Sequence, residues 1–421
     1  MNILLINHYA GSDRMGMEHR PFDFGREWIA QGHNVTVIAA DFSHLRGQQP
    51  TVRKDLEITE DEGVRFRWLR TNRYNGNGGA RTVNMLMFVG KLFTYVGRLA
   101  REERPDLVIC SSTYPLDIYA GAWIARKSGA RLVFEVHDLW PLTPILLGGF
   151  SPRHPYIRLL QHAENWAYRH ADAVVSLLPN ARDYMVEHGL ELSRFVYIAN
   201  GIPGSRMHAE HEKLPAKITD LIDQERRRGR FLIGFVGGIN LNMVLDTVLD
   251  AALRLSEAGI SFVIAGDGSK AARLRERVRD TGVDNFHMVG RIEKLAVPTF
   301  LARMDALVIP WPRNPLYRYG VSPNKLLDYM LAARPILQAS QASNDPVTDA
   351  DCGFTIEPES PVALADAAAR LQALPKEELQ RMGENGRRYI LANHDCRVLA
   401  QRFLTSVLSG PMKRHATFSS D

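Results

Sequence analysis

The stretch Tyr317–Ile336, YRYGVSPNKLLDYMLAARPI, follows the apolar run Ala306-Leu307-Val308-Ile309-Pro310. That run reads as a buried strand, and the segment after it as the start of a helix. Ser322 offers an N-cap and Pro323 suits the first helical position. A helix from there sets Leu326, Leu327 and Met330 on one face and Asn324, Lys325 and Asp328 on another. Strand, polar loop and helix in that order are one repeat of a parallel α/β sheet. The helix start also carries unpaired backbone N–H groups, a lysine, and an acid one turn further in. Amides and lysine suit phosphates, and a carboxylate suits sugar hydroxyls. The same spacing equally describes a core helix with an exposed i,i+3 Lys–Asp pair.

Outward from this segment, short apolar runs alternate with amphipathic stretches. Strands are expected at Ile3–Asn7, Val35–Ala39, Arg65–Leu69, Leu107–Ser111, Arg131–Val136, Ala173–Leu177 and Phe195–Ala199, and then, in a second series, at Phe231–Val236, Ser261–Ala265, Phe286–Val289, Ala306–Ile309, Pro335–Gln338 and Gly353–Ile356. Helices fill the intervals, the last a long one over 376–408. The rhythm predicts two doubly wound parallel sheets. It breaks near 202–229, so a linker is expected at 203–213, between domains 1–202 and 203–390, with 391–421 as a terminal helix and frayed tail.

A chain of 421 residues exceeds what one core usually serves. Its net charge of +5 suits an anionic substrate or membrane surface and is too small to argue for nucleic acid. Cys110, Cys352 and Cys396 lie far apart and read as free thiols of a reducing compartment. The N-terminus reads as a strand, not a signal peptide, and no apolar run is long enough to span a bilayer.

In such folds ligands sit beyond the carboxyl ends of strands, so the loops there hold the candidates. After the first strand, HYAGSDRMGMEHRP offers Gly11 and Gly16, which permit close backbone approach, and His8, Glu18, His19 and Arg20; a plain strand-to-helix connection is the alternative for each. After the fifth, His137 can donate to a sugar hydroxyl or a leaving phosphate, and Asp138 can orient it or bind an acceptor; a buried, satisfied His–Asp pair is the alternative. In the second half Gly237, Gly238 and Asn240 follow a strand as a pyrophosphate turn would, and Arg291 ends another. No DxD-type acidic pair stands at a strand end: Asp349-Ala350-Asp351 reads as a turn and Glu60-Asp61-Glu62 as a solvated loop. Metal cluster, P-loop, dinucleotide fingerprint and nucleophile elbow are absent from the sequence. The helix Arg81–Arg104 interleaves Met, Phe and Leu with basic residues: it suits an anionic membrane or lipid-linked acceptor, or else a core-packed helix with a basic outer face.

Five motifs in order, INHYAG at 6–11, FEVHDLWPLTP at 134–144, SLLPNARDY at 176–184, YIANGI at 197–202 and YGVSPNKLLDYMLAARPI at 319–336, make the chain resemble the GT-B retaining glycosyltransferases of family 4. It is most like the bacterial O-antigen and capsule branch, the fucosamine-transferase-like group. The resemblance implies two Rossmann-like doubly wound domains facing across a cleft, the second holding a nucleotide-sugar donor and the first the acceptor. The last helix would cross back onto the first domain. The family's Glu-x7-Glu pair matches only at its second acid, Asp328, which would bind ribose hydroxyls. The first falls at Gly320, leaving Tyr319, Gly320, Val321 and Ser322 to hold the sugar. The family's Arg and Lys after the first strand of the second domain are also missing, and Arg291 and Lys325 would replace them.

The implied activity is metal-independent retaining transfer of an N-acetylated hexosamine or deoxyhexosamine from a UDP-sugar, without a cofactor. The acceptor would be a lipid-linked glycan. The protein would be cytoplasmic and peripheral on the inner face of the cytoplasmic membrane. Lys325 and His137 would carry the chemistry, with Asp138. Asn324 would join the donor site, and Gly11, Gly16, Glu18, His19 and Arg20 the acceptor site. Two rivals are a nucleotide-sugar 2-epimerase of the same architecture and a non-catalytic nucleotide-sugar-binding subunit.

Overall fold

In a computed structural model the chain divides into two compact units, 1–201 with 396–421, and 202–395. The structure describes every residue except Met17, Glu18, Asn77, 208–211, 241–242, 411 and 413–421. The expected site residue Glu18 thus lies outside the described residues.

The first unit runs β1 (Asn2–Ile6), α1 (Arg20–Ala30), β2 (Asn34–Ala40), β3 (Glu57–Asp61), β4 (Val64–Leu69), α2 (Gly79–Glu103), β5 (Leu107–Cys110), α3 (Ile118–Ser128), β6 (Arg131–Val136), α4 (Leu142–Leu146), α5 (Pro155–His170), β7 (Ala173–Ser176), α6 (Arg182–Glu187) and β8 (Phe195–Tyr197). The sheet order is β3-β4-β2-β1-β5-β6-β7-β8. All pairings are parallel except β3 with β4. Glu60 and Asp61, read from sequence as part of a solvated loop, lie in this antiparallel edge strand.

The second unit runs α7 (Gly204–Met207), α8 (Ala216–Arg227), β9 (Phe231–Val236), α9 (Leu245–Arg254), β10 (Ile260–Ala265), α10 (Ala271–Thr281), β11 (Phe286–Gly290), α11 (Val297–Ala302), β12 (Ala306–Pro310), α12 (Asn324–Leu331), β13 (Ile336–Ala339), α13 (Pro346–Asp349), β14 (Gly353–Ile356), α14 (Pro361–Gln372) and α15 (Lys376–Asn393). Its sheet, β11-β10-β9-β12-β13-β14, is wholly parallel. Parallel strands covered on both faces need apolar side chains throughout, which is why β10, ISFVIA, is buried at every position.

The long terminal helix expected from sequence is two. A break at His394–Asp395 separates α15 from α16 (Cys396–Ser409), and Ile202 N–H donates to His394 O at 2.7 Å there. α16 belongs to the first unit: buried Phe403 packs against Trp28 and Phe24, with ring centroids 5.3 and 6.2 Å apart, and Trp28 Nε1 donates to Ala400 O at 3.0 Å. The segment expected as linker carries α7. The three cysteines are free and buried.

Candidate active site

In the second unit, β9 ends at Val236, where a glycine turn begins. Gly237 has φ 148°, and a Cβ built on it would stand 2.4 Å from Lys325 Nζ. That φ is strained for any residue with a Cβ, and a Cβ here would also push the lysine head aside. Lys325 Nζ lies 4.0 Å from the Phe235 ring centroid. Burial pulls its pKa down to about 7, against the upward pull of Asp328. A lysine poised near neutrality binds a proton readily once an anion arrives.

Asp328 lies one turn on and keeps 34% of its side chain exposed, so it does not point into the core. Its Oδ1 lies 3.6 Å from Arg206 of α7. Burial raises its pKa, opposed by Arg206, Lys294 and Lys325. The helix itself is pinned by Tyr329: its buried hydroxyl accepts from Val236 N at 2.8 Å, which ties α12 to the end of β9. Arg206 and Tyr329 escaped the sequence reading.

Several expected donor contacts are engaged otherwise. α12 begins at Asn324, with Pro323 as N-cap and no side-chain capping bond, so Ser322 precedes the cap. Proline at the cap still leaves the first helical amides without intrahelical partners. Asn324 is exposed there. Gly237 N–H donates to Ala265 O at 3.0 Å and so continues the sheet ladder. Asn240 Oδ1 accepts from Ser269 N at 3.0 Å and Oγ at 3.2 Å. It joins two loops, and a Cβ on Gly238 would meet its Nδ2 at 2.8 Å. Val321 N–H donates to Asn344 Oδ1 at 2.8 Å. Gly320 closes a 3-10 turn over Pro315–Tyr319. The half-buried Tyr319 accepts from Arg318 Nη2 at 2.8 Å. Arg291 is exposed just beyond β11 and makes no ion pair or side-chain hydrogen bond among the described residues.

In the first unit, β6 ends in a buried network that the sequence reading missed. Glu135 accepts from Arg20 Nε at 2.9 Å and Ser111 Oγ at 2.6 Å, and His137 Nε2 lies 3.3 Å from its Oε2. Burial pushes the Glu135 carboxyl up, but Arg20, His137 and Ser111 together hold it well below the ordinary range. Glu135 and Ser111, not Asp138, orient the imidazole: Asp138 is exposed and makes no hydrogen bond among the described residues. Period two along the strand places Glu135 and His137 on one side, a signal that FEVH already contained.

Arg20 is correspondingly buried. Its Nη atoms donate to Ala199 O at 2.6 Å and Ile198 O at 3.0 Å, which makes it a strut and removes it from the acceptor contacts. His19 caps α1, and its Nδ1 lies 3.3 Å from Asp13 Oδ1. Gly11 and Gly16 are packed glycines: a Cβ on Gly11 would lie 3.2 Å from Met15 Cβ, and Gly16 (φ 87°) abuts Gly47 N. His8 is fully buried, stacked on Phe88 at 4.6 Å, with a 2.5 Å hydrogen bond to Tyr114 OH. Burial lowers its pKa to about 3, so it is a neutral core group. A cavity of about 620 Å³ opens at the carboxyl ends of β2 and β4, bordered by Asp41, Arg70, Arg73, Met87 and Lys91; none of the expected acceptor residues lines it.

Among the described residues no cluster of His, Cys, Asp or Glu is placed to hold a metal ion, and no helix is long and apolar enough to cross a membrane.

Residues 15–201 match the family described as glycosyl transferase 4-like domain, and residues 230–373 match glycosyl transferases group 1. The chain belongs to the family 4-like glycosyltransferases of the GT-B fold. Among curated relatives, this glycosyltransferase is 24% identical over 366 residues (83% of this chain, 87% of the relative) to the putative colanic acid biosynthesis glycosyl transferase WcaI of Escherichia coli K12. It is 27% identical over 309 residues (70% and 69%) to the 2-deoxystreptamine N-acetyl-D-glucosaminyltransferase of Streptomyces fradiae. Solved structures with the same fold include Anabaena HepE in complex with UDP and glucose (TM-score 0.64, 15% identity, 97% of this chain and 100% of that one). WaaG, a glycosyltransferase of lipopolysaccharide biosynthesis, superposes with a TM-score of 0.63 at 16% identity over 97% and 100% of the two chains.

Proposed function

We propose that this glycosyltransferase moves an N-acetylated hexosamine or deoxyhexosamine from a UDP-sugar to a lipid-linked glycan, with retention of configuration, in the assembly of a cell-surface polysaccharide. One observation carries the reading. A lysine held near neutrality stands at the first turn of α12, against a glycine turn that leaves it room, with Asp328 one turn behind. Negative charge grows on the diphosphate as the sugar leaves. A cation and helix-terminal amides that bind that charge more strongly in the transition state lower the barrier. Asp328 is assigned to the ribose hydroxyls and Arg291, which has no side-chain partner among the described residues, to the diphosphate. In the first unit His137, fixed through Nε2 by Glu135 and Ser111, is assigned to an oxygen of the transferred sugar. Attack would come from the face the diphosphate leaves, so no carboxylate nucleophile is required.

The relatives support the class of pathway and donor: WcaI is named for colanic acid biosynthesis, the Streptomyces enzyme for N-acetyl-D-glucosaminyl transfer, and HepE is bound to UDP and glucose. The protein is proposed to act at the inner face of the cytoplasmic membrane, where a lipid-linked acceptor is held.

The test is a mass-spectrometric screen of UDP-, GDP- and TDP-sugars against lipid-linked acceptors, with the anomeric configuration read by NMR. The expected product carries the donor's sugar with its configuration retained. An inverted linkage, an epimer formed from UDP-GlcNAc without acceptor, or nucleotide binding without transfer across the whole panel would overturn the reading.

A further inference from the structure

α2, α3 and α5 lie side by side in the first unit: the Phe93 and Trp123 rings meet edge to face at 5.7 Å, and Tyr119 of α3 stacks on His162 of α5 at 6.2 Å. The outer face of this layer is unusual in two independent ways. Along α2 the exposed positions from Val83 to Gly97 (83, 86, 87, 90, 93, 94 and 97) include no charged residue. Leu86 is 48% exposed and Trp123 41%, although residues of this type normally seek cover.

The second departure is electrostatic. Arg101, Arg126, Lys127 and Arg158 are exposed on the three helices, and none has an ion pair or side-chain hydrogen bond among the described residues. The only exposed acid on the described positions of these helices is Glu102, held by Arg98 at 2.7 Å and Arg67 at 2.8 Å. A surface meant only for water mixes both signs.

Aromatic and aliphatic side chains beside unpaired cations match the boundary of an anionic bilayer. Rings and methyls enter the acyl edge, and arginines stay at the phosphates. We propose that the outer face of α2, α3 and α5 docks on an anionic membrane surface, with Phe93 and Trp123 inserted and Arg101, Arg126, Lys127 and Arg158 among the headgroups. The inference rests on the membrane-held acceptor proposed above, and it assigns the face that meets the membrane. The apolar half of α2 is the half nearer the carboxyl edge of the sheet, so docking would present that edge to an acceptor held in the bilayer.

The full chain, without donor or acceptor, is co-sedimented with vesicles of phosphatidylcholine and phosphatidylglycerol in equal parts, and with phosphatidylcholine alone. Binding is expected only to the anionic vesicles and is expected to weaken steeply with salt. Arg126→Gln with Lys127→Gln should weaken partitioning by about 25-fold, about five-fold per charge near the surface. Phe93→Ser with Trp123→Ser should weaken it comparably, circular dichroism confirming the fold. Removing the same charge from α15, with Arg387→Gln and Arg388→Gln, should leave binding unchanged. Equal binding to both vesicle types, no binding to either, or equal loss in the α15 variant would overturn the proposal. So would a dimer in sedimentation velocity that Phe93→Ser dissolves, because a second copy would then cover the face. None of these outcomes depends on sugar transfer, so glycosyl transfer and docking stand or fall separately.

Discussion

If Lys325 meets the diphosphate as proposed, UDP binding becomes a protonation event. In the unliganded protein its pKa is pulled down to about 7 by burial. A phosphate oxygen brought to about 4 Å at an effective dielectric near 20 interacts with the ammonium by roughly 4 kcal/mol, or about three pKa units. The bound lysine should therefore hold its proton to about pH 10, roughly three units above the unliganded protein. At pH 8 about a tenth of the free protein and nearly all of the complex would carry the proton, so binding should take up about 0.9 proton. The affinity should fall about 45-fold between pH 7 and 9, above the range where the terminal phosphate of UDP itself titrates, near 6.

Calorimetry in two buffers of different ionisation enthalpy measures the proton directly. Lys325→Ala should flatten the pH dependence, remove the uptake and lower turnover at least about tenfold with the fold intact. The same shift fixes the sign for stability. The unfolded chain keeps this proton to the ordinary lysine value, so the unliganded fold gains stability as pH rises from about 7 towards it. Equal UDP affinity at pH 7 and 9, with no proton uptake at pH 8, would refute the reasoning, as would near-normal turnover in Lys325→Ala.

Glu135→Gln should destabilise the protein by about 3–5 kcal/mol in denaturant titration, because the buried Arg20 loses its counter-charge. The wild type should lose that contribution as pH falls below the ordinary glutamate range, since the folded Glu135 pKa is depressed, and the variant should not. Phe403→Ala should cost about 3–5 kcal/mol by the same titration, since it opens a cavity between α16 and the buried Trp28 and Phe24.

Most of the fold was legible in the sequence because parallel strands buried on both faces leave an unmistakable trace. Arg131–Val136, Phe231–Val236 and Gly353–Ile356 are strands over the very residues their apolar runs mark. The edge strand β3, EITED, was not legible: with solvent on one flank it needs few apolar residues, and its charges resemble those of a loop. The break between α15 and α16 was equally silent. No proline or glycine marks it, and it exists because Ile202 pairs with Asp395, a contact between residues far apart in the chain. In the site, Lys325 and Asp328 could be read from helical spacing. Arg206 could not, since it reaches Asp328 from a four-residue helix inside a stretch that reads as linker. Asn240 and Arg20 have the residue types of ligands, and only their partners show that they hold loops together.

The absent first acid of the Glu-x7-Glu pair bears on whether the chain is a working enzyme or a degenerate binding subunit. Loss of function by drift would leave a loop able to take the acid back. This loop is not of that kind. Gly320 has φ 93° and ψ 174°, a region of backbone space that is essentially closed to any residue with a Cβ. Its amide donates to Tyr317 O at 3.0 Å. The next residue, Val321, is clamped on both sides by Asn344, whose Oδ1 accepts from Val321 N at 2.8 Å and whose Nδ2 donates to Val321 O at 3.0 Å. A glutamate at position 320 would have to break this arrangement to enter it. The departure is thus one of backbone path, with a side chain from another loop dedicated to holding it. Such an investment of hydrogen bonds fits a donor site rebuilt around a different sugar contact, and of the two departures that favour the binding-subunit reading it removes one, leaving the missing Arg and Lys after β9.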